Sequence, residues 1–585
     1  KIIVKIDYKN AFNSFERDIL LNEIRANVPS LYSYLWQCYS NTSYLSFNAV
    51  LIDSLVGAQQ GDPTGPLTFS LAIHPIIMKL KSELNVWYLD DGTLGDLPDA
   101  VLEDFVLLKT LSKCIGLEIN PSKCEIFFCS GQVDMEILSK FEYIAPGIRV
   151  VSKEELNLLG APIFDEGFYS MSSIIINKMD IMFDRLKNLN SHTAYFLLKH
   201  CFAIPKLTYF VRTCPAWKFK EFSNIVDSKF KCTLESIMNV SMNENQWLQA
   251  SLPVKRGGLG IRRIEDISLP AFLSSTFGVS CLVSQILNKP DTTSIHSTES
   301  AERKWNSLND IIPKEKNIQK TWDIVNIDRI IENNLIIESN LDLARFNALQ
   351  HKESGAWLNA FPSPNIGTFM DDNVFRICVA LRLGCKVCER YECSCGSVVD
   401  ENGIHGLSCP KCTAIWIQRH ADINNILHRA LSSIYVPSKL EPEGLSRDDG
   451  KRPDGLTLIP WEKGQSLVWD TTCIDTLADS YLYKSTQKSG SAAEFAQNKK
   501  HSNYSYIKSQ NYAFTAFAVE SFGPWSSEAH NLIKKIGKKL NEISGDNRSK
   551  NFLVQRISLA IQRGNAACVM NTMPETSSLN EVFYI

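Results

Sequence analysis

Adjacent aspartates are costly to hold together, and VWYLDDGTL places Asp90 and Asp91 between two apolar or aromatic runs. A hairpin at this point brings their carboxylates close to one another at a turn. A third acid, Asp7, ends the apolar run IIVKID, which reads as a strand that carries its last side chain into a cleft. Three carboxylates near one point repel and desolvate one another unless divalent cations neutralise them. Two Mg²⁺ ions are the natural occupants, with Asp7 and Asp90 bridging them and Asp91 in support. Between these acids lies GAQQGDPTGPLTFSLAIHPI, a glycine-rich loop running into a helix. There Gly57, Gly61 and Gly65 permit close approach of backbone to a ligand, and Pro66 suits a first helical turn.

Two further constellations lie downstream. In GCKVCERYECSCGSVVDENGIHGLSCPKC, Cys388, Cys393, Cys395, His405 and Cys409 offer more soft ligands than one tetrahedral Zn²⁺ needs. One structural zinc is expected on four of these five; Cys393, Cys395, His405 and Cys409 come first, Cys388 is the substitute, and Cys385 and Cys412 are reserves. Beyond it, Pro453-Asp454 is followed sixteen residues later by Asp470 at the end of an apolar run. That pattern suits a restriction-like nuclease, in which two carboxylates bind one or two Mg²⁺ and a lysine assists the attacking water. Thr472 stands where the usual Asp-x-Lys form has lysine, so the displaced Lys500, in the helical stretch GSAAEFAQNKKHSNY, is the candidate.

The elements that must position these groups change character along the chain. Short apolar strands alternate with amphipathic helices over residues 1–165, an α+β pattern. Residues 166–290 read as a helical block, 291–380 as a helical connector or linker, 381–440 as the Cys/His region, and 441–585 as a return to strands and helices. Residues 288–338 carry no motif. The first residue already lies in a strand pattern, which leads us to expect a preceding segment.

The first three segments resemble motifs A, B and C of reverse transcriptases in their chain order, and GLEINPSKCEIFF resembles motif D. The resemblance implies a palm that joins dNTPs to a DNA primer on an RNA template. It makes Phe12 the steric gate against a ribose 2′-hydroxyl, Gln60 and Gly61 nucleotide contacts, and Lys123 a triphosphate contact. LNLLGAPI resembles a primer-grip hairpin. IPKLTYFVRTCP and LPVKRGGLGIRR resemble the helical thumb of non-LTR retrotransposon polymerases, which would lay Lys206, Arg212, Lys255, Arg256, Arg262 and Arg263 along the duplex. The tail is similar to the zinc-binding motif and restriction-like endonuclease of the same elements. On that resemblance Asp454 and Asp470 are metal ligands, Glu441 is a further acid and Lys500 is the base. The fold expected is multidomain α+β: an antiparallel palm sheet with helices, a helical thumb, a small zinc module and an α/β nuclease domain.

Composition fits this reading. The chain is 44% apolar and 21% charged, as in ordinary globular proteins. Residues 1–163 hold 13 Lys/Arg against 20 Asp/Glu, while 170–266 hold 14 against 8. An acidic metal-holding block followed by a basic one suits a polyanion lying across the second. Six of seventeen Cys fall between Cys385 and Cys412, which favours metal over disulfides. The uncharged stretch from Ile267 to Asn288 is too polar for a membrane span and reads as a buried helix. Nicking of target DNA, with the freed 3′-hydroxyl priming the copying of element RNA in the nucleus, is the expected activity. A decayed or domesticated copy that only binds RNA or DNA is the alternative. A viral RNA-dependent RNA polymerase would share the aspartates but lack the aromatic gate and the nuclease tail.

Overall fold

The computed structural model describes residues 1–286, 296–446 and 450–574. The chain divides into two compact units, Lys1–Ile175 and Ile176–Ile585.

In the first unit, Ile2, Val4 and Ile6 are buried while Ile3 and Lys5 are partly open, the period-two pattern of a strand with one face on a core. This strand, Ile2–Ile6, is the centre of a five-stranded sheet. Asp91–Asp96 and Glu125–Phe128 flank it, both antiparallel. Leu84–Tyr88 extends one side as an antiparallel hairpin, and Arg149–Val150 extends the other in parallel. Helices Arg17–Asn27, Gly65–Ile77 and Pro98–Cys114 cover the buried face through Leu20, Ile24, Phe69, Ile73, Phe105 and Leu108. The sheet with helices expected over residues 1–165 is therefore present, with one parallel pair at its edge. Asn157–Leu158 pairs with Ala161–Pro162 across Leu159 and Gly160, both at positive φ, which gives the expected hairpin.

The second unit begins within helix Asp165–Leu186 and continues with helices Ser191–Leu197, Ile204–Thr213, Lys220–Met238, Glu244–Ser251 and Ile264–Ile286. Helix Ile264–Ile286 is long and apolar enough to cross a membrane by composition. The burial expected of it holds for its first half, Ile264 to Ser274; Val279, Leu282 and Ile286 are exposed. Of residues 288–338, positions 288–295 lie outside the described residues. The rest includes helices His296–Asn306 and Gln319–Asn333, whose Trp305 and Trp322 pack on Leu269, Phe272 and Leu273. The described part of that region is therefore helical and packed on a core, as a helical connector would be.

The last sheet runs Ser438–Leu440, Gly455–Thr457, Leu467–Ile474, Ala513–Glu520, with two antiparallel pairs followed by a parallel one. Helices Thr413–Ser433, Ser527–Ser544 and Ser549–Thr572 cover one face through Leu427, Ile533 and Ile557, against Trp469 and Phe517. The final helix also seals the cysteine region, where Cys412 Sγ donates to Cys568 O at 3.3 Å, and the connector, where Trp357 N donates to Ser558 Oγ at 3.3 Å. One buried helix thus ties together three stretches that the sequence separates.

Candidate catalytic and metal centres

Asp7 follows the central strand directly. Ile6 pairs with Gly92 across the sheet, so the next step of the same register sets Asp7 opposite Asp91. Tyr88 pairs with Asp91, which leaves Leu89 and Asp90 as the two-residue turn of the hairpin. Leu89 takes the positive φ that such a turn needs. Gly92 lies opposite Trp87, and a Cβ there would run into the indole ring. The two strands and the turn therefore hold all three acids at one end of the sheet. Burial, then the charges of Asp90 and Asp7, push the Asp91 carboxyl above its usual range, with Lys5 opposing. Asp7 Oδ2 is buried without a hydrogen-bond donor. Lys123 Nζ stands 4.0 Å from it, in a turn that Asn120 N fixes by donating to Asp7 O at 2.8 Å. Three neighbouring acids that Lys123 and Lys5 only partly offset fit a divalent cation. The three carboxylates do not gather into one ligand sphere, which among the described residues only the cysteine region achieves for three or more groups.

The glycine-rich loop is moored beside these acids. Gly57 N and Ala58 N donate to Phe15 O and Phe12 O, both at 2.7 Å. Arg17 donates to Gly57 O at 3.0 Å and to Ser54 O at 2.7 Å, and its guanidinium lies over the Tyr39 ring. Tyr39 bonds Asp62, which also accepts from Thr64 N at 2.8 Å. Phe12 stacks on Phe69 with ring centroids 4.8 Å apart. Gln60 and Gly61 are left exposed at the loop crest. Arg17 and Tyr39 were not singled out in the sequence; a lone arginine two residues after Phe15 gives no local sign of reaching a loop forty residues on.

In the second unit, Asp454 N donates to Trp469 O at 3.1 Å, and the register Gly455↔Trp469 sets Asp454 opposite Asp470. Thr471 N donates to Asp454 Oδ2 at 2.5 Å. Lys500, on helix Ser491–Asn503, forms an ion pair with Asp470 Oδ2. The displaced lysine thus meets the acid it was paired with. Burial, then the Asp454 charge, raise the Asp470 carboxyl, while Lys500 and Tyr504 draw it back. A buried acid raised by a neighbouring acid is a site where a cation would be welcome. Glu441 N donates to Asp454 O at 2.9 Å, but the Glu441 residue is exposed and adjoins Asp454 through backbone. On the same helix as Lys500, Gln497 Oε1 accepts from Glu528 N at 3.1 Å at the start of helix Ser527–Ser544.

His420 completes this group, although nothing in the sequence pointed to it. Its Nε2 lies 2.9 Å from Asp454 Oδ2 and 3.1 Å from Thr471 O. Asn424, one helical turn on, approaches Nδ1 at 3.4 Å and accepts from Thr471 Oγ1 at 2.6 Å. This network assigns the proton to Nε2. Burial works against the imidazolium, yet the Asp454 carboxylate and Thr471 carbonyl outweigh it and raise the histidine above its ordinary value.

The cysteine region selects among the ligands left open. Ligand atoms of Cys393, Cys395, His405 and Cys409 all lie within 4.8 Å of one another. Cys393 and Cys409 sulfurs are 3.8 Å apart, and Cys395 Sγ is 3.3 Å from His405 Nε2. A tetrahedron with Zn–S of about 2.3 Å has edges of about 3.8 Å, so the residues fit zinc. Hydrogen bonds from Ser397 draw the Cys395 thiol down to about 6, toward the thiolate that metal binding requires. Cys388 instead turns its Sγ to Asp400 O at 3.4 Å, and Cys412 to Cys568 O. Neither belongs to the four; nor does Cys385.

Of the six cations assigned to duplex contact, four are engaged within the chain. Arg263 makes two 2.7 Å bonds to Asp266, Arg256 meets Asp328 at 2.5 Å, and Arg262 lies 3.7 Å from Asp323. Arg212 donates to Gln319 Oε1 at 3.1 Å and to Ser274 Oγ at 3.3 Å. Lys206 and Lys255 are exposed.

Residues 1–163 match the family described as reverse transcriptase (RNA-dependent DNA polymerase). The chain is also similar to the retrotransposable element SLACS 132 kDa protein of Trypanosoma brucei gambiense, with 24% identity over 287 residues that cover 46% of this chain and 23% of that protein. The aligned region therefore spans about a quarter of that relative's length.

Proposed function

We propose that this chain, whose residues 1–163 match the reverse transcriptase family, copies RNA into DNA at Asp7, Asp90 and Asp91, from a 3′-hydroxyl made by nicking target DNA at Asp454 and Asp470, as a protein of the retroelement kind. The observation that carries the polymerase reading is the placement of Asp7 opposite Asp91 with Asp90 in the adjoining turn. When bound, Mg²⁺ at either set of carboxylates supplies the charge that activates the attacking oxygen and stabilises the leaving one. Phe12 excludes a ribose 2′-hydroxyl from the incoming dNTP, Gln60 and Gly61 meet that nucleotide from the exposed loop crest, and Lys123 faces the triphosphate. In the second centre, Lys500 Nζ orients the attacking water and the His420 Nε2–H holds Asp454 Oδ2 in place. The substrates are an RNA template, a DNA primer and dNTPs, and the setting is the nucleus.

Primer extension on an RNA template with Mg²⁺, alongside nicking of duplex DNA, tests this reading. Asp90→Ala abolishes extension and leaves nicking; Asp454→Ala does the reverse. Undiminished extension by the first variant overturns the polymerase assignment, and loss of both activities in the second makes the tail structural.

A further inference from the structure

Tyr39, the last residue of helix Pro29–Tyr39, is only 3% exposed and has no part in the chemistry proposed at Asp7, Asp90 and Asp91. A phenylalanine would fill the same space, so packing alone does not call for the Tyr39 hydroxyl. That hydroxyl reaches the glycine-rich loop on both sides of its crest. It accepts from Gln59 N at 3.2 Å and donates to Asp62 Oδ2. Gln60 and Gly61 are the two residues between these points.

The crest depends on such a hold. Asp62 N donates to Gln59 O at 3.1 Å, which closes Gln59 to Asp62 into a four-residue turn. Gly61, third in that turn, has a φ of 93°, the sign that a type II turn requires there. Both crest residues are exposed, and a Cβ on Gly61 would meet nothing within 4 Å. A turn without packing around it loses backbone entropy to keep one shape, and bonds at its feet offset that loss. Asp62 Oδ1 secures one foot by accepting from Thr64 N at 2.8 Å and Thr64 Oγ1 at 2.7 Å. The other limb is tied by Arg17, which lies 5.2 Å from the Tyr39 ring centroid and donates to Ser54 O at 2.7 Å and Gly57 O at 3.0 Å. The Tyr39 hydroxyl is the group that bridges the feet. Burial, then the bond to Asp62, push the Tyr39 phenol up to about 12. Burial works against the Asp62 carboxylate, yet the bonds from Tyr39 and Thr64 outweigh it and hold the acid below its usual range. At neutral pH the phenol therefore donates and the carboxylate accepts.

We infer that Tyr39 is a positioning residue for the incoming dNTP: its hydroxyl staples Gln59 to Asp62 and so holds Gln60 and Gly61 in the shape that meets the nucleotide. The inference rests on the reading of Gln60 and Gly61 as nucleotide contacts. Tyr39 is buried and acts through the turn, so its loss falls on nucleotide capture and leaves the chemical step alone.

Single-nucleotide extension of a DNA primer on an RNA template by the full chain with Mg²⁺, across a dNTP concentration series, tests it. Tyr39→Phe keeps the ring over Arg17 and removes only the hydroxyl. The KM for dNTP should rise about tenfold, the scale of one hydrogen bond to a charged group. The rise should be alike for the four dNTPs, because the hydroxyl grips Gln59 N and Asp62 rather than a base. A kcat held at the parent level shows that the variant is folded and that chemistry is untouched. Asp62→Asn leaves one oxygen where two accepted and should raise KM by itself; the double variant should match Tyr39→Phe, since both changes break the same bond. Exchange of the Gln59 amide hydrogen, read without substrate, should quicken in Tyr39→Phe. A parent KM or parent Gln59 exchange in Tyr39→Phe, a fall in kcat in place of a rise in KM, or effects that multiply in the double variant overturn the inference and leave the polymerase reading standing. Extension that is absent in the parent, or that survives Asp90→Ala, removes the polymerase reading and this inference with it.

Discussion

His420 Nε2 lies 2.9 Å from Asp454 Oδ2, joining a helix that follows the cysteine region to an acid 34 residues further on. The bond fixes the Asp454 carboxylate, and Asn424 in turn steadies the ring. Removing a group that orients a ligating carboxylate typically lowers activity about 10- to 100-fold. His420→Ala should therefore reduce DNA nicking by that amount while primer extension stays at the parent level. His420→Gln, which restores an N–H donor, should recover part of the loss. Nicking at the parent rate in the alanine variant would remove His420 from the centre.

Zinc content offers a separate check on the cysteine region. Cys395→Ser removes one of the four clustered ligands and should abolish binding of about one zinc per chain. Cys388→Ser leaves the cluster whole, since that sulfur is turned to Asp400 O, and should retain the metal. Inductively coupled plasma mass spectrometry on the purified variants decides the matter. The opposite pattern would exchange the two cysteines in the ligand set.

His192 gives a pH signature in the helical region. It is fully buried, stacked on Phe375 at 4.5 Å, and accepts from Met370 N at 3.2 Å. Burial, then the charge of Arg563, push it down to about 4. The unfolded chain therefore takes up a proton near the ordinary histidine value while the folded chain does not. Stability contributed by the neutral ring is complete above about pH 6.5 and is lost as pH falls from there to about 4, roughly 3 kcal/mol in all. His192→Phe keeps the stacking and should flatten the slope of urea stability between pH 7 and pH 4.5. An equal slope in parent and variant would place the titrating group elsewhere.

What could be read from the residues, and what could not, divides along distance in the chain. The strand ending at Asp7 and the Tyr88–Asp91 hairpin are local patterns, and the alternation at Ile2, Val4 and Ile6 appears directly in the sequence. The cluster of Cys393, Cys395, His405 and Cys409 was legible as a candidate because seventeen residues contain all four. Choosing it over Cys388 required knowing that the Cys388 sulfur faces Asp400 O, which spacing alone does not reveal. The partners of the arginines were hidden for a related reason. Arg256 and Arg262 look free in LPVKRGGLGIRR, and their partners Asp328 and Asp323 arrive from a helix more than sixty residues later. His420 was silent because its meaning depends on the sheet bringing Asp454 back to it.

Gly57 and Gly61 separate structure from function within one loop. Both have positive φ, 67° and 93°. At Gly57 a Cβ would collide with the backbone of Phe12 and Asn13, whose surroundings are held by the paired bonds from Gly57 N and Ala58 N. At Gly61 a Cβ would meet nothing within 4 Å. A left-handed conformation alone costs a non-glycine residue about 1–2 kcal/mol, and the collision at Gly57 adds to this because backbone cannot step aside. Gly57→Ala should accordingly speed hydrogen exchange at Ala58 at least about thirtyfold, the factor corresponding to about 2 kcal/mol of local opening. Gly61→Ala should leave exchange at Ala58 within a few-fold of the parent. If Gly61 faces the incoming nucleotide, its variant should instead raise the KM for dNTP, because the added methyl group occupies the exposed crest. Equal exchange at Ala58 in the two variants would show that the loop is not moored on Phe12, and an unchanged KM in Gly61→Ala would take the crest out of the nucleotide site.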